Sequence, residues 1–250
     1  TMTTLIFDVD GTLAETERYG HRVAFNQAFA DAGLDWFWSE SVYGELLAIS
    51  GGKERIRYYM THYLPNQISL NDEWVQTLHS AKSYYYCRLL EQGKIPLRPG
   101  VKRLIREASQ AEIPCAIATT SAWENTVALL ETHFGTTANF CAIAAGDMVP
   151  HKKPAPDIYH YLLDELGVPK DDCLVFEDSE AGLTAATKAG LKTVITLNHY
   201  TAHQDFSTAT LVLSHLGEPD DPFTIYRGKS FANQTYFNLD FAERLLKFQL

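Results

Sequence analysis

The sequence predicts an α/β fold: a Rossmann-like open parallel sheet carrying an inserted helical unit. Three observations predict it. Short apolar, β-branched runs recur along the chain, with helix-patterned segments between most of them. One long stretch, residues 15–93, contains no such run. The first four predicted strands lead at their carboxyl ends into acids, hydroxyls and lysines, the place where open α/β sheets bind ligands.

The strand candidates are TLIF (4–7), CAIAT (115–119), CAIAA (141–145), CLVF (173–176), KTVIT (192–196) and TLVLS (210–214). Residues 100–112 place Val101, Leu104, Ile105 and Ala108 on one helical face. SAWE (121–124) reads as a capping box, Ser121 with Glu124, opening a helix to about His133. Residues 156–166 read as a helix stopped by Gly167, and another helix runs from Ser179 to Gly190. Strands alternating with helices imply a parallel sheet covered on both faces.

Within the long stretch, helices are expected at 16–32, 40–49, 53–63 and 71–92, rich in Tyr and Trp. The predicted organisation is a core of residues 1–14 and 94–250, with 15–93 inserted as a helical cap domain. Patterning weakens after about residue 217, where FNLDFAERLLKFQL (237–250) reads as a last amphipathic helix packed on the sheet.

The 250 residues, 46% of them hydrophobic, suffice for a sizeable core. A net charge of -10 argues against broad binding to nucleic acid or an acidic membrane, but leaves room for a small anion. No apolar run approaches the roughly 20 residues of a membrane span. The first strand starts at once, so no signal or transit peptide is expected and the chain is expected in the cytoplasm. Cys87, Cys115, Cys141 and Cys173 lack the close pairing of a zinc site and read as thiols in a reducing compartment. No protein partner is implied.

TLIF runs directly into Asp8 and Asp10. Residues two apart in an extended segment project to the same side. Two unit charges about 4 Å apart repel by roughly 4 kcal/mol at an effective dielectric of about 20. Glu177 and Asp178, at the fourth strand end, add to the problem. Mg²⁺ is the natural counter-ion, since it takes a few carboxylates with waters and phosphate oxygens. A calcium loop starting at Asp8 would need Glu at its twelfth position, which is Tyr19.

Four segments, FDVDGT, IATTS, KKPAPDIY and VFEDSEAG, resemble the ordered motifs of the haloacid dehalogenase superfamily of phosphohydrolases. The insert resembles the cap of its subfamily I, and the likeness spans roughly residues 3 to 217. GGKERI and TLVLSHLGEP are similar to segments of the CbbY-type branch, whose characteristic substrate is xylulose 1,5-bisphosphate.

The resemblance implies that Asp8 is the nucleophile, forming an aspartyl-phosphate that water opens. Asp10 would be the general acid and base, its neighbour's charge raising one pKa of the pair. The family's true dehalogenases lack this second aspartate. Thr119 would bond a phosphoryl oxygen, Thr12 and the amides near Gly11 would add to that cradle, and Lys153 would neutralise charge. Asp8, the Asp10 carbonyl, Asp178 and, less directly, Glu177 would hold Mg²⁺. Ser121 reads equally as a helix cap or a ligand contact.

In the insert, Glu17 and His21 fall one helical turn apart, placed to meet sugar hydroxyls. Gly52, Lys53 and Arg55 read as an anion site at a helix start, suited to a second phosphate. The expected function is removal of one phosphate from a sugar bisphosphate. Rival readings are a β-phosphoglucomutase-like mutase, a phosphonatase using Lys53 as a Schiff base, and an idle phosphate-binding module.

Overall fold

In the first strand Leu5 and Phe7 face one way and Ile6 the other, and all three are fully buried. That alternation fixes the layers, because a strand buried on both faces needs helices above and below. The computed structural model describes residues 3–64, 66, 71–229, 231 and 233–247. The chain begins with β1 (Thr4–Phe7) and enters the insert through a π-turn at Glu17–His21. The insert contains α1 (Arg22–Asp31), α2 (Glu40–Leu46), α3 (Gly52–Tyr63) and α4 (Asp72–Glu91). Then follow α5 (Val101–Gln110), β2 (Cys115–Thr119), α6 (Trp123–Phe134), β3 (Ala142–Ala145) and α7 (Asp157–Leu166). The chain continues through β4 (Cys173–Glu177), α8 (Glu180–Lys188), β5 (Lys192–Thr196), β6 (Leu211–Leu213), β7 (Ile225–Arg227) and α9 (Leu239–Lys247).

The sheet order is β3-β2-β1-β4-β5-β6-β7. The six predicted strands pair in parallel, and β7 joins antiparallel to β6. β7 escaped the sequence reading because its three residues are at most half-buried, with no apolar period to find. The chain leaves β1 on one side to make β2 and β3, then returns on the other side for β4. The order therefore reverses between β1 and β4, which places the binding crevice at the end of β1.

One face of the sheet packs on α5, α6 and α9, and the other on α7 and α8. α9 buries Phe241, Ala242 and Leu245, with Phe237 edge-on to Phe176 at 5.2 Å. The last three residues of the helix expected there lie outside the described residues. The insert has an apolar cluster of its own, centred on Phe25, Phe29, Trp38, Tyr43, Ile56 and Leu78. Two strand-like connections carry it, bridged at Ala14 and Leu97. Among the described residues, no helix is long and apolar enough to cross a membrane.

The expected capping box is not formed. α6 starts at Trp123 with Ala122 as its cap residue and no side-chain cap. Ser121 lies one residue ahead of the cap position, and its hydroxyl donates to Asp10.

Candidate active site

The carboxyl ends of the central strands and the insert enclose a cavity of about 430 Å³. Asp8, Asp10, Ser121, Lys153, Glu177 and Asp178 line it from the sheet side, and Glu17, His21, Gly52 and Arg55 from the insert. Thr12, Thr119 and Lys53 do not form its wall.

Asp8 extends the ladder by one bond, its N–H donating to the Phe176 carbonyl at 3.0 Å. The chain then turns, and the Thr12 hydroxyl comes back to donate to Asp8 Oδ2 at 2.9 Å. The other oxygen, Oδ1, accepts from Lys153 Nζ at 2.9 Å. Lys153 also donates to the Ala118 carbonyl at 2.9 Å and to Glu177, whose same oxygen accepts from the Tyr159 hydroxyl.

Asp8 and Glu177 share this one ammonium, and Asp178 is buried close to both acids. Burial, then the Glu177 charge, pushes the Asp8 carboxyl up to about 7, despite the opposing Lys153. Burial followed by the charges of Asp8 and Glu177 also raises Asp178 well above the carboxylate range. The three acids outnumber their cation, and each places an oxygen within 4.8 Å of the others. An all-oxygen, over-negative set of that size fits a Mg²⁺ ion, whose ligands sit about 2.0–2.1 Å away.

Asp10 sits differently. Its Oδ1 lies 2.7 Å from His21 Nε2, and its Oδ2 accepts from Ser121. Burial alone would raise it, but the His21 charge and bond, with the Ser121 and Thr16 hydroxyls, hold Asp10 below the usual range. Of the acid pair it is Asp8 that is raised, by burial first and then by the charges of Glu177 and Asp10, while Asp10 itself is lowered. His21 is itself held by the Tyr86 ring, stacked at 4.3 Å. The π-turn places His21 there, and Glu17 from the same turn accepts from the Tyr43 hydroxyl.

The predicted anion pair in the insert is split. Arg55 lines the cavity, while Lys53 forms an ion pair with Asp147 at 2.7 Å outside it. Two residues apart on an α-helix are about 200° apart around its axis, so both cannot face one cavity. Lys53, the lysine on which the phosphonatase reading rests, does not reach the cavity. Its place is taken by Lys82 of α4, which is 3% exposed and lines the cavity between the Phe25 and Tyr86 rings. Burial pushes Lys82 down to about 8, with Asp10 and Glu17 opposing. The signal was present in the sequence: Val75, Leu78, Lys82 and Tyr86 form one buried helical stripe, and a lysine in that phase needs a polar destination. Gly52 has a packing reason, because a Cβ there would lie 2.6 Å from His79 Nε2.

Thr119 is fully buried, and its hydroxyl oxygen accepts the Ser121 N–H at 3.1 Å. Thr120 and Ser121 form the wall instead. Asn198, beyond β5, was not found in the sequence. It donates to Asp178 Oδ2 at 2.6 Å and to the Gly11 carbonyl at 3.3 Å. Gly11 has φ +83°, and a Cβ there would meet Asp178 Oδ2 at 2.5 Å, so only glycine fits.

A family model described as haloacid dehalogenase-like hydrolase matches residues 2–190. Protein CbbY, plasmid, of Cupriavidus necator is 45% identical over 225 residues, covering 88% of each chain. The crystal structure of CbbY from Rhodobacter sphaeroides in complex with phosphate gives a TM-score of 0.80 at 44% identity, covering 86% of this chain and 95% of that one. A mutant of that protein in complex with xylulose-(1,5)bisphosphate also gives 0.80, at 43% identity.

Proposed function

The chain belongs to the haloacid dehalogenase-like hydrolases, and from this premise we propose that it is a Mg²⁺-dependent phosphatase that removes one phosphate from xylulose 1,5-bisphosphate. One observation carries the reading. Asp8, gripped by Lys153 and Thr12 at the strand-order reversal, opens into the same cavity as the cationic pair Arg55 and Lys82. A molecule with an anion at each end matches that layout. The likeness to CbbY supports the choice of sugar.

In the proposed cycle a carboxylate oxygen of Asp8 attacks phosphorus. The bond to the sugar oxygen breaks, and that oxygen takes a proton from the Asp10–His21 pair. Asp8 then carries the phosphoryl group. Water gives a proton to the Asp10 carboxylate and opens the aspartyl-phosphate, releasing inorganic phosphate and restoring Asp8. Lys153 offsets the charge on the phosphoryl oxygens, and the Thr119 hydroxyl oxygen fixes the turn that brings Ser121 to the cavity wall. Asp8, Asp178 and the Asp10 carbonyl would hold Mg²⁺, which supplies further neutralisation of the phosphoryl charge when bound. Glu177 acts on Lys153, since its Oε1 is already taken by that ammonium and Tyr159.

Residues 15–93 serve as the cap. Arg55 and Lys82 hold the second phosphate, Glu17 accepts from sugar hydroxyls, and the closed insert excludes water. The test is phosphate release from a panel of sugar mono- and bisphosphates, with Mg²⁺ or with chelator, and the products identified by phosphorus NMR. One equivalent of phosphate from xylulose 1,5-bisphosphate, dependent on Mg²⁺, is expected. A phosphoryl group moved and retained on the sugar would replace this reading with the mutase, and no release from any sugar phosphate would overturn it.

A further inference from the structure

We infer that Arg98 is a positioning residue for the nucleophile, holding Asp8 in line through the Gly11–Thr12 peptide. The inference rests on the reading of Asp8 given above. Arg98 is buried on the return connection from the insert, just ahead of α5. Its Nη1 donates to the Gly11 carbonyl at 2.7 Å, the Thr196 carbonyl at 3.2 Å and the Thr196 hydroxyl at 3.1 Å. Its Nη2 donates to the Ser214 carbonyl at 2.9 Å and to the Leu197 carbonyl. Its Nε lies 3.4 Å from Glu15 Oε1. One planar group thus ties the loop after β1 to the ends of β5 and β6.

Gly11 is the informative acceptor. Its carbonyl and the Thr12 nitrogen share one peptide unit, which is planar and stiff. Holding the oxygen fixes the plane, and with it the direction in which Thr12 leaves. The Thr12 hydroxyl is the group that grips Asp8 Oδ2. Asn198 holds the same Gly11 oxygen from another side. Gly11, at positive φ, has no side chain of its own to resist a peptide rotation. A guanidinium suits the task because its five N–H groups fan out in a fixed plane, and a lysine cannot reproduce that fan.

The test is a double-mutant cycle of Arg98→Lys and Thr12→Val, with kcat and KM measured on folded protein against p-nitrophenyl phosphate. Misplacing a reacting group by about 1 Å costs about 100-fold, so Arg98→Lys is expected to lower kcat by roughly 10- to 100-fold with KM nearly constant. The double variant is expected to be little worse than the poorer single variant, since both act on one oxygen of Asp8. Wild-type kcat in folded Arg98→Lys, or losses that multiply in the double variant, would overturn the inference. If Arg98→Lys does not fold, Thr196→Val removes one anchor isosterically. A kcat loss of about 2- to 10-fold, one hydrogen bond's worth, is expected there, and an unchanged kcat is the overturning result. Asp8→Asn separates the two layers. Turnover in Asp8→Asn sinks the nucleophile reading itself, whereas a dead Asp8→Asn beside a wild-type-like Arg98→Lys sinks only the role of Arg98.

Discussion

His21 Nε2 lies 2.7 Å from Asp10 Oδ1, so a residue of the insert sets the charge state of an acid on the sheet. The contact ties the insert to Asp10, because the His21 charge and bond are the largest of the effects that hold its proton affinity down, ahead of the Ser121 and Thr16 hydroxyls. His21→Asn should therefore raise the Asp10 pKa. The pH below which Asp10 is protonated moves up, and the acid limb of kcat, which needs the Asp10 carboxylate as the base for water, moves up with it. General acid–base contributions run at about 10²- to 10⁴-fold, so a kcat loss toward the lower end is expected. A pH–rate profile identical to wild type would separate His21 from Asp10.

Asp8→Asn removes the attacking oxygen while keeping the side-chain volume. Turnover on any phosphate ester should fall to background, and the circular dichroism and melting profile should stay close to wild type. An Asn cannot form the acyl phosphate, so trapping of a phosphorylated chain by acid quench should also vanish.

Metal-free protein carries a defined pH signature. Asp8 is raised to about 7 and Asp178 is also raised well above the carboxylate range, both above their unfolded values. A raised pKa contributes stability below the unfolded pKa, near 4, and that contribution is lost as pH climbs through the folded one. Asp10 is depressed, and its contribution is complete above about pH 4. In chelator, this site should therefore destabilise the fold progressively as pH rises from about 4 through about 7. Added Mg²⁺ binds the charged forms, so its increase in Tm should be small at pH 5 and larger at pH 8. Thermal melts with and without Mg²⁺ across that range check the sign, and an equal increase at both pH values would remove the acid cluster as the metal site.

Lys82→Met and Arg55→Met should raise KM for a bisphosphate far more than for p-nitrophenyl phosphate. A hydrogen bond to a charged group is worth about 1.5–3 kcal/mol, or about 10- to 150-fold. Lys53→Met, whose ammonium belongs to Asp147, should change the two substrates alike. If Lys53→Met instead shows the selective loss, the second anion site lies where the helix start alone would put it.

Period and punctuation made much of the framework readable. TLIF, CAIAT and CLVF are short, fully buried and β-branched or apolar, and each became a central strand at the place expected. The strand-end acids were readable because clustered charge needs a cation wherever the strands go. Lys53 and Lys82 show the limit. Both are helical lysines near the cavity, and the choice between them depends on how α3 and α4 are rotated, which puts Lys82 in the cavity and Lys53 on Asp147. Ser121 shows another: the residue at which α6 begins decides whether it can cap, and the place of Asp10 decides where its hydroxyl hydrogen goes.

The amino-acid order by itself determined the parallel sheet, the helical insert and the gathering of Asp8, Asp10, Lys153, Glu177 and Asp178 at strand ends. These are local consequences of side-chain period and charge. Only the tertiary structure decided which acid gains protons and which loses them, which lysine faces the cavity, and that Arg98 and Asn198 reach Gly11 from residues far along the chain. Burial and partner distance set those outcomes, and both arise from packing between elements.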